Sequence, residues 1–123
     1  MIELNVLGTP LQSCCFKLQT GFYRDGYCRT GIEDVGRHTI CAIMTKEFLE
    51  FSLFKGNDLI TPRAEMDFPG LKPGDKWCLC ALRWKEAFEF NAAPLIFLEA
   101  CHESVLDLIP LDILKTHAYT LRH

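Results

Sequence analysis

The first third of the chain has two strand-like segments separated by a long stretch without a period. Residues 2–7 alternate apolar and polar side chains, which predicts a half-buried strand ending at Gly8. Residues 38–44 are mostly apolar and predict a buried strand. The intervening residues 8–37 hold five glycines and one proline. They predict a long ordered loop, and a loop of that length in a compact domain is often functional.

A helical period follows the second predicted strand. Thr45 is a favourable N-cap for a helix over residues 46–55, and Gly56 stands where a C-terminal glycine is favoured. Phe48 and Phe51 are three residues apart, so they would share the buried face of this helix.

A second helix is predicted from an N-cap at Asp75 to about residue 89. Its apolar residues recur at helical spacing: Trp77, Ala81, Trp84 and Phe88. A strand over residues 77–81 remains an alternative. The helix would separate Cys78 and Cys80 by about 200°, whereas the strand would place both on one face.

The last third of the chain predicts more strands and a final helix. Apolar residues 94–100 and 105–109 read as strands, with His102 in the turn between them. A helix begins near Pro110, and its predicted buried face comprises Leu111, Leu114, Ala118 and Leu121. We therefore expect one compact α+β domain over residues 1–123, with a small mixed or antiparallel sheet, about three helices and the long N-terminal loop.

Composition and charge narrow the function classes. Hydrophobic residues make up 49% of the 123 residues and charged residues 24%, which is typical of a globular domain. A formal net charge of −3 argues against nucleic-acid binding. The apolar stretch 95–98 is too short to span a bilayer, and the first residues lack the regions of a secretory signal. We expect a cytoplasmic protein with no membrane or nucleic-acid partner; the sequence leaves its oligomeric state open.

The chain contains seven cysteines, an odd number, and no C-x-x-C pair. Together with the expected location, this predicts a reduced protein, and we expect the thiols of Cys15 and Cys101 to be free. Most of the cysteines would be small buried hydrophobes, while metal ligation or a reactive thiol at some of them stays open. The sequence assigns neither a metal site nor a cofactor.

Candidate chemistry concentrates in two loops, residues 20–38 and 56–62. No phosphate-binding loop, dinucleotide fingerprint or metalloprotease motif is present. Arg24 offers a planar fork for an anionic group, which Asp25 would orient, and Cys28 or Cys41 would face the same pocket. The predicted ligand-binding residues are Arg24, Asp25, Cys28, His38, Asn57, Asp58 and His102.

Each candidate has an alternative structural role. Arg24 and Asp25 could form a local pair in a solvated turn, and His38 could be a hydrogen-bonded core residue rather than a base or metal ligand. His102 with Glu103 could form an acid–base pair or a turn. Asn57 and Asp58 suit the turn after a helix, although we assign them to the pocket.

The leading functional hypothesis is a binding domain for a small anionic ligand or a peptide. A thiol-dependent enzyme or a Cys/His metal-binding protein is the alternative, so catalysis is left undecided. A third possibility is an interaction module that uses exposed aromatic residues such as Phe22, Tyr23 and Tyr27.

Several long motifs resemble one family. They are TGFYRDGYCRTG (20–31), GRHTICAIMTKEFLEFS (36–52), GNDLITP (56–62) and FPGLKPGDKWCLCALRW (68–84). The chain resembles, from about Leu4 to Ala118, the bacterial domain of unknown function 2237, also found in some eukaryotes. Cys15, Cys101 and Pro110 depart from the family pattern. The resemblance implies the extent of the domain and the location of a site, and it implies no reaction, ligand or cofactor.

Overall fold

The computed structural model describes residues 3–15 and 20–119. Its sheet consists of two antiparallel strands, β1 (His38–Ile43) and β2 (Lys76–Cys80). Cys41 pairs with Cys78 in this sheet, and His38 pairs with Cys80 beyond an irregularity in the register. The apolar residues of the predicted middle strand therefore do form a strand, and four of its six residues are buried.

The described residues form three α-helices: α1 (Lys46–Phe54), α2 (Ala81–Glu89) and α3 (Leu111–Lys115). Helix α2 contacts both strands of the sheet and also α1. Short 3-10 helices occur at Ala64–Met66, Leu98–Ala100 and Glu103–Asp107. The core between these elements contains Ile40, Met44, Phe48, Leu79, Trp84 and Ile96, all nearly inaccessible to solvent. This confirms the prediction of a small α+β domain with a small antiparallel sheet and three helices.

Helix α1 begins and ends as its sequence predicts. The Thr45 hydroxyl accepts a hydrogen bond from the Phe48 backbone N–H at 3.0 Å. Gly56 adopts a φ of 91° just after the helix, a left-handed conformation that glycine tolerates best. The buried face includes Phe48 and Leu49, while Phe51 is partly buried.

The prediction of a helix from Asp75 is wrong in its first half, and the strand alternative is correct. Residues 76–80 pair with β1, and the helix starts only at Ala81. The Asp75 carboxylate accepts a hydrogen bond from the Lys72 N–H at 2.9 Å and so closes the preceding turn instead of capping a helix. Backbone pairing with a buried strand overrides the helical spacing of Trp77 with Trp84.

The other three predicted strands do not form as continuous strands. In the described part of residues 2–7, Leu4 and Asn5 make only isolated bridges, to Pro10 and His102. Residues 94–100 contain bridges at Ile96 alone before the 3-10 helix Leu98–Ala100. Residues 105–109 lie largely in the 3-10 helix Glu103–Asp107. These segments contain isolated bridges and 3-10 helices, which also bury apolar residues. The pattern of apolar residues in the sequence does not distinguish such segments from strands.

The final helix is shorter than predicted. Pro110 is the N-cap residue of α3, and the helix ends at Lys115. Leu114 is buried, whereas Ala118 follows the helix and bridges to Ile96. Leu121 lies outside the described residues.

The long loop is ordered by contacts with the sheet. Residues 8–15 and 20–37, the parts of this loop that the structure describes, contain no helix and no multi-residue strand. The Thr20 hydroxyl accepts a hydrogen bond from the Cys78 N–H at 2.7 Å, which joins the loop to β2. Within residues 3–15 and 20–119, no helix is both long and apolar enough to cross a membrane.

Two disulfides also hold this loop, so the expectation of a fully reduced protein is wrong. Cys14 is bonded to Cys41 of β1, and Cys28 is bonded to Cys78 of β2. The partners are 27 and 50 residues apart in sequence, and spacing alone does not say which cysteines meet in the fold. Cys15, Cys80 and Cys101 are free, as we expected for Cys15 and Cys101.

Candidate functional site

A cleft of about 490 Å³ opens between the loop after Thr20, strand β2 and the segment that follows α1. We call it the Arg24 cleft. Its polar lining consists of Arg24, His38, Asp58 and Arg63, and its aromatic lining of Phe22, Phe68 and Trp77. Three of the seven predicted site residues therefore lie in one cleft.

Arg24 connects two segments of this cleft. Its Nη2 donates a hydrogen bond to the Asp67 carbonyl at 3.1 Å, and its Nη1 donates to the Met66 carbonyl at 3.4 Å. The guanidinium carbon lies 5.9 Å from the ring centroid of Trp77. Arg24 has a φ of 58°, an uncommon conformation for a residue with a side chain. Its side chain is thus directed out of its own loop and towards the segment at residues 63–68.

Asp25 does not orient Arg24, contrary to the prediction. One carboxylate oxygen accepts from the Tyr27 N–H at 3.1 Å, and the other accepts from Arg29 Nε at 2.7 Å. A bond to the backbone two residues later is the turn that aspartate favours, and the ion pair with Arg29 holds the second oxygen. The hydrogen bond with Asp25 raises the pKa of Arg29. Asp25 lines a separate cavity of about 290 Å³.

The cysteines expected to face the pocket are both in disulfides. Cys28 is completely buried and bonded to Cys78, while Cys41 is buried and bonded to Cys14. Neither presents a thiol to a ligand. The Sγ atoms of Cys14, Cys28 and Cys78 lie within 4.8 Å of one another, so these sulfurs would have to be reduced before they could hold a metal ion.

His38 is held by an aspartate that the predicted site omitted. Its Nδ1 lies 2.6 Å from Asp34 Oδ1. The other Asp34 oxygen accepts from the Thr30 hydroxyl at 3.0 Å and from the His38 N–H at 2.8 Å. The Asp34 side chain is completely buried, whereas 39% of the His38 side chain is exposed. The buried Asp34 carboxylate therefore holds the His38 ring, which lines the cleft, in a fixed orientation.

A smaller cavity of about 210 Å³ adjoins the Arg24 cleft, and we call it the Cys80 cavity. His38 and Trp77 line both spaces, whereas Asn57, Cys80 and Arg83 line only the Cys80 cavity. Asn57 and His38, two of the predicted site residues, therefore line the same cavity. The strand alternative for residues 77–81 is the interpretation that bears on Cys80, because it places this residue on a strand. The pairing of that strand with β1 comes from the structure.

Asp58 has a defined structural role within the cleft. Its Oδ1 accepts hydrogen bonds from the Ile60 and Thr61 N–H groups at 2.9 and 3.1 Å. Hydrogen bonds from Thr61, followed by that from Ile60, lower the pKa of Asp58. The carboxylate therefore stays charged near neutral pH, and its negative charge partly offsets the positive charges of Arg24 and Arg63 in the cleft.

His102 does not join the cleft, contrary to the prediction. It is buried, with Nε2 at 2.6 Å from Glu3 Oε2, and its Nδ1 accepts from the Ser104 N–H at 3.1 Å. It is the N-cap of the 3-10 helix Glu103–Asp107. The alternative of a hairpin turn is not correct either, because residues on both sides form 3-10 helices instead of strands. His102 lines neither the Arg24 cleft nor the Cys80 cavity.

Comparison with known proteins gives one family. The family model described as "Uncharacterized protein conserved in bacteria (DUF2237)" matches residues 4–118. This confirms the resemblance drawn from the four motifs and its extent. The search of curated proteins finds no match.

Proposed function

The chain belongs to the family of uncharacterized proteins conserved in bacteria, DUF2237, and from its own geometry we propose that it binds a small anionic ligand in the Arg24 cleft. The observation that carries the proposal is the convergence of two arginines with aromatic side chains around one space. Its volume of about 490 Å³ lies within the range usual for small-molecule sites.

The lining of the cleft favours an anionic ligand that also has a flat, uncharged part. Among the described lining residues, Arg24 and Arg63 each carry a positive charge and Asp58 carries a carboxylate. A guanidinium recognises carboxylate or phosphate through its planar fork of donors. Trp77 and Phe68, whose ring centroids are 5.3 Å apart, form an apolar wall suited to a flat, uncharged part of the same ligand. A peptide that ends in a carboxylate next to an aromatic side chain presents the same chemistry.

Calorimetric titration with phenyl phosphate, benzoate and uncharged benzamide tests this proposal. We expect the two anions to bind and benzamide to bind at least about tenfold more weakly, since one lost ionic hydrogen bond costs about 1.5–3 kcal/mol. The Arg63→Gln substitution should weaken the binding of phenyl phosphate by a similar factor. Lys85→Gln removes an exposed charge outside the cleft and should leave binding unchanged. Equal binding of the anions and benzamide, or no effect of Arg63→Gln, would contradict the proposal.

The proposal includes a cytoplasmic location. The free thiols of Cys15, Cys80 and Cys101 are typical of a reducing compartment, whereas the two disulfides are typical of an oxidising one. Cell fractionation followed by immunoblotting tests this location. Recovery of the chain with a cytoplasmic marker protein would support the proposal, and recovery outside the cytoplasm would overturn it.

A further inference from the structure

We propose that Cys80 is a nucleophilic thiol for acyl transfer, with His38 as its base and Asp34 as the residue that positions His38. The substrate class is a small ester or thioester. The choice of an acyl compound that carries an anionic group rests on the proposed function of the Arg24 cleft, whereas the thiol chemistry rests on separate residues.

The base and its positioning residue have the required geometry. Asp34 Oδ1 lies 2.6 Å from His38 Nδ1, and the buried carboxylate is fixed by Thr30 and by the His38 N–H. A carboxylate on Nδ1 favours the tautomer with its proton there, which leaves the Nε2 lone pair to accept a proton. The exposed part of the ring borders both cavities.

The thiol and this imidazole border the same cavity. His38 and Cys80 are partners across the two strands, and both line the Cys80 cavity. A Cβ atom on Gly36 would be 3.6 Å from His38 Nε2 and 3.6 Å from Cys80 Sγ, so these two atoms are at most twice that distance apart. A glycine at position 36 leaves the space next to both groups open.

The position of Cys80 in the fold also suits a nucleophile. Cys80 is the N-cap residue of α2, a nine-residue helix without a capping side chain. The N-terminal end of a helix carries partial positive charge, which stabilises an anion formed there. Of the other free cysteines, Cys101 is completely buried, and burial raises the pKa of its thiol to about 12. Cys15 is half-buried like Cys80 and serves as the comparison thiol.

The reaction balances with water as the second reactant. Cys80 Sγ attacks the acyl carbon while His38 Nε2 takes the thiol proton. The bond from the acyl carbon to the leaving oxygen or sulfur then breaks, and His38 returns the proton to that atom. Water attacks the resulting thioester, His38 takes a proton from it, and the carboxylic acid leaves as the Cys80 thiol is restored.

The test uses the full chain, without reductant, and two chromogenic esters. These are neutral 4-nitrophenyl acetate and anionic mono-4-nitrophenyl glutarate. We expect a burst of about one nitrophenolate per chain and an acyl adduct on Cys80 by peptide mass spectrometry. Cys80→Ala should lower the burst rate at least about 100-fold, while Cys15→Ser should leave it unchanged. An undiminished burst in Cys80→Ala, or an adduct on Cys15 alone, overturns the proposal.

Variants of the base and its partner separate chemistry from structure. His38→Gln and Asp34→Asn should each lower the acylation rate constant about 100-fold or more, with the half-saturating ester concentration changed less than about threefold. Thermal unfolding identifies any variant that fails to fold, and His38→Gln then decides the matter because this side chain is partly exposed. An acylation rate within twofold of the parent in folded His38→Gln overturns the role of His38.

The two esters also separate this proposal from the function of the cleft. Both proposals hold if the Arg63→Gln variant loses a preference for the glutarate ester while 4-nitrophenyl acetate still acylates Cys80. Acylation of Cys80 with no preference for the anionic ester over the neutral one overturns only the proposed anion site. Anion binding without acylation of Cys80 overturns the catalytic proposal alone.

Discussion

Trp84 shows how much one side chain contributes to the core. It is completely buried, its Nε1 donates a hydrogen bond to the Pro94 carbonyl at 3.1 Å, and its ring stacks on Phe88. Its burial on a helix was predicted correctly. Of its predicted partners on that buried face, Trp77 lies on strand β2 and Phe88 is only half-buried. The hydrogen bond to Pro94 is a contact that periodicity does not reveal.

Trp84→Ala should lower the free energy of unfolding by about 3–5 kcal/mol, because it leaves a large cavity and an unpaired carbonyl. Urea titration measures this loss. Leu82→Ala, at an exposed position on the same helix, should change stability by less than about 0.5 kcal/mol. A loss below about 1 kcal/mol for Trp84→Ala would contradict complete burial.

Cys101 should resist thiol reagents in the native protein. Burial raises the pKa of its thiol to about 12, so this thiol stays protonated at pH 8. Since the folded-state pKa exceeds the unfolded value, the contribution to stability is present below the ordinary thiol pKa and is lost as the pH rises towards 12.

A disulfide-forming chromogenic reagent at pH 8 checks this expectation. Two thiols, Cys15 and Cys80, should react in the native protein, and the third should react only after unfolding in urea. Rapid reaction of three thiols in the native state would contradict the burial of Cys101. Cys101→Ala is the control, because it should remove only the slow phase.

At the scale of elements, the N-terminus of α1 is specified by a local signal. Thr45→Ala removes the hydroxyl that accepts from the Phe48 N–H, and it should cost about 1 kcal/mol of unfolding free energy. Thr45→Ser keeps an oxygen at the same position and should cost much less. Equal losses for the two variants in urea titration would show that the hydroxyl does not cap the helix.

Strand β2 shows where local signals fail. Trp77 and Trp84 have helical spacing, yet residues 76–80 are paired with β1 and residues 81–89 are helical. The pairing adds backbone hydrogen bonds with β1, which lies about 40 residues earlier in the chain. The short sequence segment from which a helical period is read does not include that partner strand. The same pairing places Cys80 beside His38, so the missed thiol follows directly from the missed strand.

For the whole molecule, the disulfides connect the long loop to both strands of the sheet. The double variant Cys28→Ser/Cys78→Ser should lower the free energy of unfolding by about 2–5 kcal/mol, because the unfolded chain gains freedom. Urea titration of the double variant and of Cys15→Ser, which removes a free thiol, measures the difference. Seven reactive thiols in the unfolded parent without reductant would show that the disulfides are absent.

The candidate site was predicted in part. Arg24, His38 and Asp58 do line one cleft and Asn57 lines the adjoining cavity, since the two loops that carry them were recognised by their composition. Asp25, Cys28 and His102 line neither of these two spaces. Each is engaged by a specific partner, namely Arg29, Cys78 and Glu3, and these partners are chosen by geometry that residue type does not encode.

The sequence by itself determined the α+β class, strand β1, helix α1 with its Thr45 cap, and the family. These depend on short-range periodicity, capping chemistry and long motifs. Only the tertiary structure decided the pairing of β2, the two disulfides and the meeting of Asp34, His38 and Cys80. The physical reason is that these contacts join distant segments, and which segments meet depends on how the whole chain buries its apolar surface.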